Sequence, residues 1–137
     1  MKSKTLIVSL IFISVFGLSE SAFVRPVMAQ EPFDTYETFI SWKYEKANLD
    51  NFAIFLMKHP ETIGYVVFYT GDKDSFKKVN KRITKSKRYL IDRRKIANGR
   101  LIVIYAGTLA KFSTTILQPM DANLPPPYKD VRTKRPS

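Results

Sequence analysis

The sequence predicts a two-layer α/β (α+β) sandwich with a mixed sheet, its elements running strand, helix, strand, helix, strand, strand. Two observations carry this prediction. Two segments place apolar residues at helical spacing: Leu49, Phe52, Ala53 and Leu56 in one, Phe76, Val79, Ile83, Ser86 and Leu90 in the other. Two more, "IGYVVFYTG" and "RLIVIYAG", are β-branched and aromatic runs closed by glycine, the composition of buried strands.

The first element expected is a short strand, Thr38–Tyr44, in which apolar and polar residues loosely alternate. Residues 30–37 before it read as a polar lead-in. "NLDNFAIFLMKHP" follows as a helix, with Asn48 as its N-cap, Asp50 near its positive end and Pro60 ending it. Ile63–Gly71 is the second strand. A second helix then runs from Asp74 or Ser75, either able to cap it, to about Asp92. Its apolar stripe is narrow, and Lys77, Lys78, Lys81, Arg82, Lys85 and Arg88 fall outside it. "ANG" supplies a turn, and Arg100–Gly107 is the third strand. Lys111–Pro119 is the fourth, expected to fold back as a hairpin through "GTLA". The remainder, residues 120–137, is rich in proline and charge and reads as a flexible, disordered tail.

Composition narrows the setting. The chain has 137 residues, 23 Lys and Arg against 12 Asp and Glu, a net charge of +11, and no cysteine. Disulfides, thiolate metal sites and a lipid-modified cysteine are therefore excluded. The N-terminal "MKSK" precedes the apolar run Thr5–Leu18, and Val27 and Ala29 satisfy the small-residue rule for cleavage. Residues 1–29 are expected to be a signal peptide cut after Ala29, with a cut after Ser21 as the alternative. The apolar run falls short of the roughly 20 residues that span a bilayer. The chain is expected to be exported, to the periplasm or beyond, with no transmembrane segment after cleavage.

Catalytic and metal chemistry find little footing. His59 is the single histidine, and it sits at a helix end beside Pro60, where capping suits it better than acid–base work. One histidine without cysteine cannot build a tetrahedral nitrogen–sulfur site. Asp72 and Asp74 form a carboxylate pair, but among Lys73, Lys77 and Lys78 they suit a loop and a helix cap better than a hard cation. No enzyme activity, cofactor or metal is expected. The basic helix face of Lys77, Lys78, Lys81, Lys85 and Arg88 offers polyanion binding instead, steeply salt-dependent. An export signal argues against nucleic acid and for lipopolysaccharide phosphates, teichoic acids or anionic lipid headgroups.

The words within these elements resemble the C-terminal domain family of outer membrane protein A (OmpA-like). "LDNFAIFLMKHP" resembles that family's first helix, and "RITKSKRYL" followed by "RRKIANGRL" its second helix and turn, with Arg82, Tyr89, Leu90, Ile96 and Arg100 in place. The resemblance covers residues 38–119. It is closer still to a group of small exported bacterial proteins of unknown function that share "EKANLDNFAI". The resemblance implies an envelope protein that binds peptidoglycan by gripping the two charges of diaminopimelate. Arg82 would hold the carboxylate, and Asp72 and Asp74 stand nearest the place of the family's aspartate. "YTGDKD" replaces the family's "GHTD"-like loop, Lys78 and Val79 replace its leucine–serine pair, and the last strand lacks its "RRV".

Overall fold

A computed structural model describes residues 31–133 apart from residue 110. The expected signal peptide, residues 1–29, and the last residues, 134–137, lie outside the described residues. The elements are β1 (Asp34–Glu37), α1 (Trp42–Lys58), β2 (Thr62–Thr70), α2 (Phe76–Arg88), β3 (Leu101–Thr108) and β4 (Thr114–Asp121). The α+β class and the mixed four-stranded sheet are as the sequence predicts. In the sheet order β1-β4-β2-β3, β4 runs antiparallel to both of its neighbours, while β3 lies parallel to β2.

Alternation along β2 divides the interior in two. Val66 and Phe68 face both helices, packing with Leu49, Phe52, Ala53 and Leu56 of α1 and with Val79 and Ile83 of α2. Tyr65 and Val67 face the other way and join Ile104 and Met120. The helical stripes read from the sequence are therefore the faces that cover one side of the sheet.

Four expectations are corrected. The first strand is not Thr38–Tyr44 but Asp34–Glu37, inside the supposed lead-in, and Trp42–Tyr44 already belongs to α1. The stripe of α1 continues backward through Glu45, which is completely buried, so a charged residue hid the extra turn. Asn48 and Asp50 consequently lie well inside the helix, whose N-cap is Ser41. Asp50 instead accepts a hydrogen bond from the Tyr89 hydroxyl and pairs with Arg94 at 3.4 Å.

The third and fourth strands do not form a hairpin. The chain leaves β3, passes over the end of β2 and descends on its far side. There the Leu109 amide bonds the Thr70 carbonyl at 3.2 Å, and the Gly71 amide donates to Ser113 Oγ at 3.0 Å. A Cβ on Gly71 would lie 2.5 Å from the backbone of Phe112 and Ser113, so the crossing depends on glycine.

The tail is not free over its described length. Met120 and Asp121 complete β4, and Leu124 and Tyr128 lie against the second apolar cluster. That face is apolar and both helices lie on the other side, so a stretch stiffened by Pro125, Pro126 and Pro127 covers it at low entropic cost.

The second helix begins as expected. Ser75 accepts the Lys78 amide through its side chain at 3.2 Å. After Arg88 the helix widens into a π turn, Tyr89–Arg93, closed by the Arg94 amide on the Tyr89 carbonyl. Lys95 then adopts φ 58°, the left-handed conformation that ends many helices.

Candidate functional site

Arg82 points inward. Its Nε lies 2.7 Å from Glu45 Oε2 and donates to the Thr38 carbonyl at 3.1 Å, while Nη2 donates to the Ile40 carbonyl at 2.5 Å. The single Nε hydrogen is directed at Thr38, so Glu45 Oε2 has charge contact with the guanidinium but no aligned hydrogen bond of its own. Glu45 Oε1 accepts the Ser86 hydroxyl at 2.8 Å. Burial raises the Glu45 carboxyl above its ordinary range, with Ser86 and Arg82 opposing the shift. Tyr36 is pushed up as well, first by burial and then by the charge of Glu45. The arrangement fastens the loop between β1 and α1 to α2. It occupies the arginine that the resemblance would assign to a ligand.

Asp74 is engaged in the same way. Its carboxylate takes the Ser113 hydroxyl at 2.7 Å and the Lys78 ammonium at 3.0 Å, which hold it below the usual carboxylate range. Asp72 is exposed in the preceding turn. Among the described residues, no three His, Asp or Glu side chains gather as metal ligands. His59 caps α1, with its backbone amide on Phe55 and Leu56 carbonyls and its Nδ1 donating to the Phe55 carbonyl at 2.9 Å.

The basic face divides. Lys78 turns to Asp74 and lies over the Phe39 ring, 4.2 Å from its centre. Lys77 is exposed. Lys81, Lys85 and Arg88 line one open cleft of about 480 Å³ with Arg93, Asp92, Thr84, Trp42 and Tyr89. Lys85 Nζ lies 4.1 Å above the Trp42 ring, which meets Tyr89 edge-on at 5.6 Å between centres. A cation over an aromatic face is attracted by the ring and held in place. The cleft thus offers four cations against one carboxylate, above an aromatic floor.

No protein-family model and no curated protein matches the chain.

Sequence reading missed two members of this cleft. Trp42 was placed on a strand, which set it apart from α2. Arg93 lies past the expected apolar stripe, and only the π turn swings it beside Arg88. A signal existed for Trp42, because it lies one helical turn before Glu45 and two before Leu49, on the buried stripe of α1. None of the described helices is long and apolar enough to cross a membrane.

Proposed function

We propose that the chain is an exported, non-enzymatic domain of OmpA-like architecture in the bacterial cell envelope, and that it binds phosphate-bearing polyanions. The observation that carries this reading is the cleft of Lys81, Lys85, Arg88 and Arg93 over Trp42 and Tyr89. Several positively charged side chains converging on an aromatic surface neutralise adjacent phosphates and release counterions. Support for the envelope setting comes from the signal-like N-terminus, and support for the family from the element order and the "EKANLDNFAI" resemblance. The diaminopimelate grip is a weaker reading, because Arg82 and Asp74 already hold internal partners.

Trp42 is the single tryptophan, so its fluorescence reports on the cleft directly. Lipopolysaccharide-containing vesicles, neutral vesicles and diaminopimelate-type peptidoglycan are titrated at low and at physiological salt. The wild type is compared with Lys85→Glu/Arg88→Glu and with Lys77→Glu/Lys87→Glu, which changes the charge equally outside the cleft. The proposal expects a salt-sensitive change with the lipopolysaccharide vesicles alone, lost in the first variant and kept in the second. Equal loss in both variants reduces the effect to net charge and overturns the cleft. Retention on peptidoglycan at physiological salt restores the diaminopimelate reading in its place.

A further inference from the structure

An edge strand exposes a row of unpaired amide and carbonyl groups, and proteins protect such rows with charges, prolines or bulges. The sheet has two edges, β1 and β3. β1 carries Asp34 and Glu37. β3, Leu101–Thr108, contains no charged residue and no proline, and Ile102 on it is 37% exposed. Its protection comes from elsewhere in the chain. Arg132 Nη2 donates to the Val103 carbonyl at 3.1 Å, and the Asp130 carboxylate accepts the Tyr105 amide. Asp130 and Arg132 also pair with each other, Nη2 to Oδ2 at 2.5 Å.

These two contacts have the pattern of a strand ladder. In an extended chain the amide and carbonyl of one residue point to the same side, so Val103 and Tyr105 present both groups at the open edge. A neighbouring strand would donate to one and accept from the other. Arg132, on a three-residue 3-10 turn, Val131–Thr133, and Asp130, just before it, supply that donor and that acceptor from side chains. The bulge that β3 carries between Tyr105 and Thr108, with Gly107 at φ 100°, lies beyond these two residues, so nothing on Val103–Tyr105 itself opposes pairing with another chain.

We infer that Asp130 and Arg132 form a detachable guard on β3, and that the uncovered edge pairs antiparallel with β3 of a second copy. A two-fold axis at Ile104 sets Val103 of one copy opposite Tyr105 of the other. Their outward amides and carbonyls then satisfy each other, as a self-complementary interface requires. β3 itself brings no like charges face to face across that axis.

The test exchanges the two residues in the full chain, Asp130→Arg with Arg132→Asp, leaving composition and net charge unchanged. After the exchange, position 130 has no acceptor for the Tyr105 amide and position 132 no donor for the Val103 carbonyl. The wild type is expected to sediment as a monomer, and the exchange variant to double in mass as concentration rises. Adding Ile102→Lys to the variant returns it to a monomer. Tyr105 amide exchange supplies the second measurement. In dilute variant it runs about tenfold faster than in wild type, the effect of losing one charge-assisted hydrogen bond, and it slows again in the dimer. A variant that stays monomeric at every concentration overturns the pairing. Wild type that dimerises as readily as the variant, or unchanged Tyr105 exchange in dilute solution, overturns the guard.

Discussion

The guanidinium of Arg82, its side chain only 14% exposed, lies 2.7 Å from the carboxylate of Glu45, which has no exposure at all. The pair joins the first turn of α1 to the middle of α2, and Thr38 and Ile40 carbonyls complete the shell of the arginine. Removing one member of a buried pair strands the other, at a cost of about 3–5 kcal/mol. Arg82→Ala is therefore expected to lower stability by about 3 kcal/mol in urea unfolding. In acid, where both side chains are neutral, Glu45→Gln keeps the Ser86 contact and costs less, about 1–2 kcal/mol. A loss below about 0.5 kcal/mol in Arg82→Ala, the range of ordinary surface substitutions, would free the arginine for a ligand.

Glu45 and Asp74 give stability opposite dependences on pH. The Glu45 carboxyl is raised in the fold, so its contribution is complete below the ordinary carboxylate range, about 4.3, and declines as pH rises through the raised value. Asp74 is lowered, so its contribution is present above about 3.9 and disappears on acidification. Urea unfolding across a pH series separates them. The advantage of wild type over Glu45→Gln should shrink as pH rises, and its advantage over Asp74→Asn should shrink as pH falls. Parallel curves for wild type and Glu45→Gln would remove the linkage assigned to Glu45.

Gly71→Ala tests the crossing from β3 to β4. The added methyl meets main chain at 2.5 Å, with no flexible side chain to give way. Overpacking against backbone costs about 1–3 kcal/mol, and the upper end is expected here. The same shift would loosen Ser113, which links the Gly71 amide to Asp74, so Asp74 should lose part of its lowered pKa in carboxyl-resolved NMR.

Arg100 holds the end of α1 to the start of β2. Its Nη2 donates to the carbonyls of Leu56 at 2.7 Å, His59 at 2.8 Å and Thr62 at 2.9 Å, and its Nε also reaches Thr62. Arg100→Ala leaves helix-end carbonyls without that donor and should cost about 2 kcal/mol. Arg100→Lys should recover only part, because an ammonium has no second nitrogen to match the Nε contact with the Thr62 carbonyl at 3.2 Å. Full recovery by lysine in thermal unfolding would show that charge alone matters.

Lys95 supplies a stabilising test. A side chain at φ 58° costs about 1 kcal/mol relative to glycine. Lys95→Gly should therefore raise the unfolding midpoint, less the greater entropy of the unfolded glycine chain. An unchanged or lower midpoint would mean that the lysine side chain offsets its own strain.

Much of this molecule was legible because apolar periodicity is local. Leu49, Phe52, Ala53 and Leu56 stand out at helical spacing, and "YVVF" reads as a strand without reference to anything distant. What resisted reading was set by partners far along the chain. Glu45 breaks the apolar stripe of α1 unless Ser86 and Arg82 are known to lie against it. The strand Asp34–Glu37 is polar at its ends and is defined by Leu117 and Thr114 opposite it. "GTLA" offered a hairpin loop, and only the close approach at Gly71 carries the chain across β2 instead. In the cleft, Lys81, Lys85 and Arg88 were visible as a helix face, whereas Trp42 and Arg93 arrive through a misplaced helix start and a π turn.

The position of β4 has a consequence for the order of events along the chain. It lies between β1 and β2, yet its residues, Thr114–Asp121, come last of the four strands. While the chain lengthens from its N-terminus, Asp34–Glu37 has no neighbour and β2 can pair only with β3. Contacts over such separations form late and slowly. Any machinery that handles the chain in that direction, ribosome or translocation pore, therefore meets an unclosed sheet until residue 121 has emerged, and the structure then closes from its middle outward.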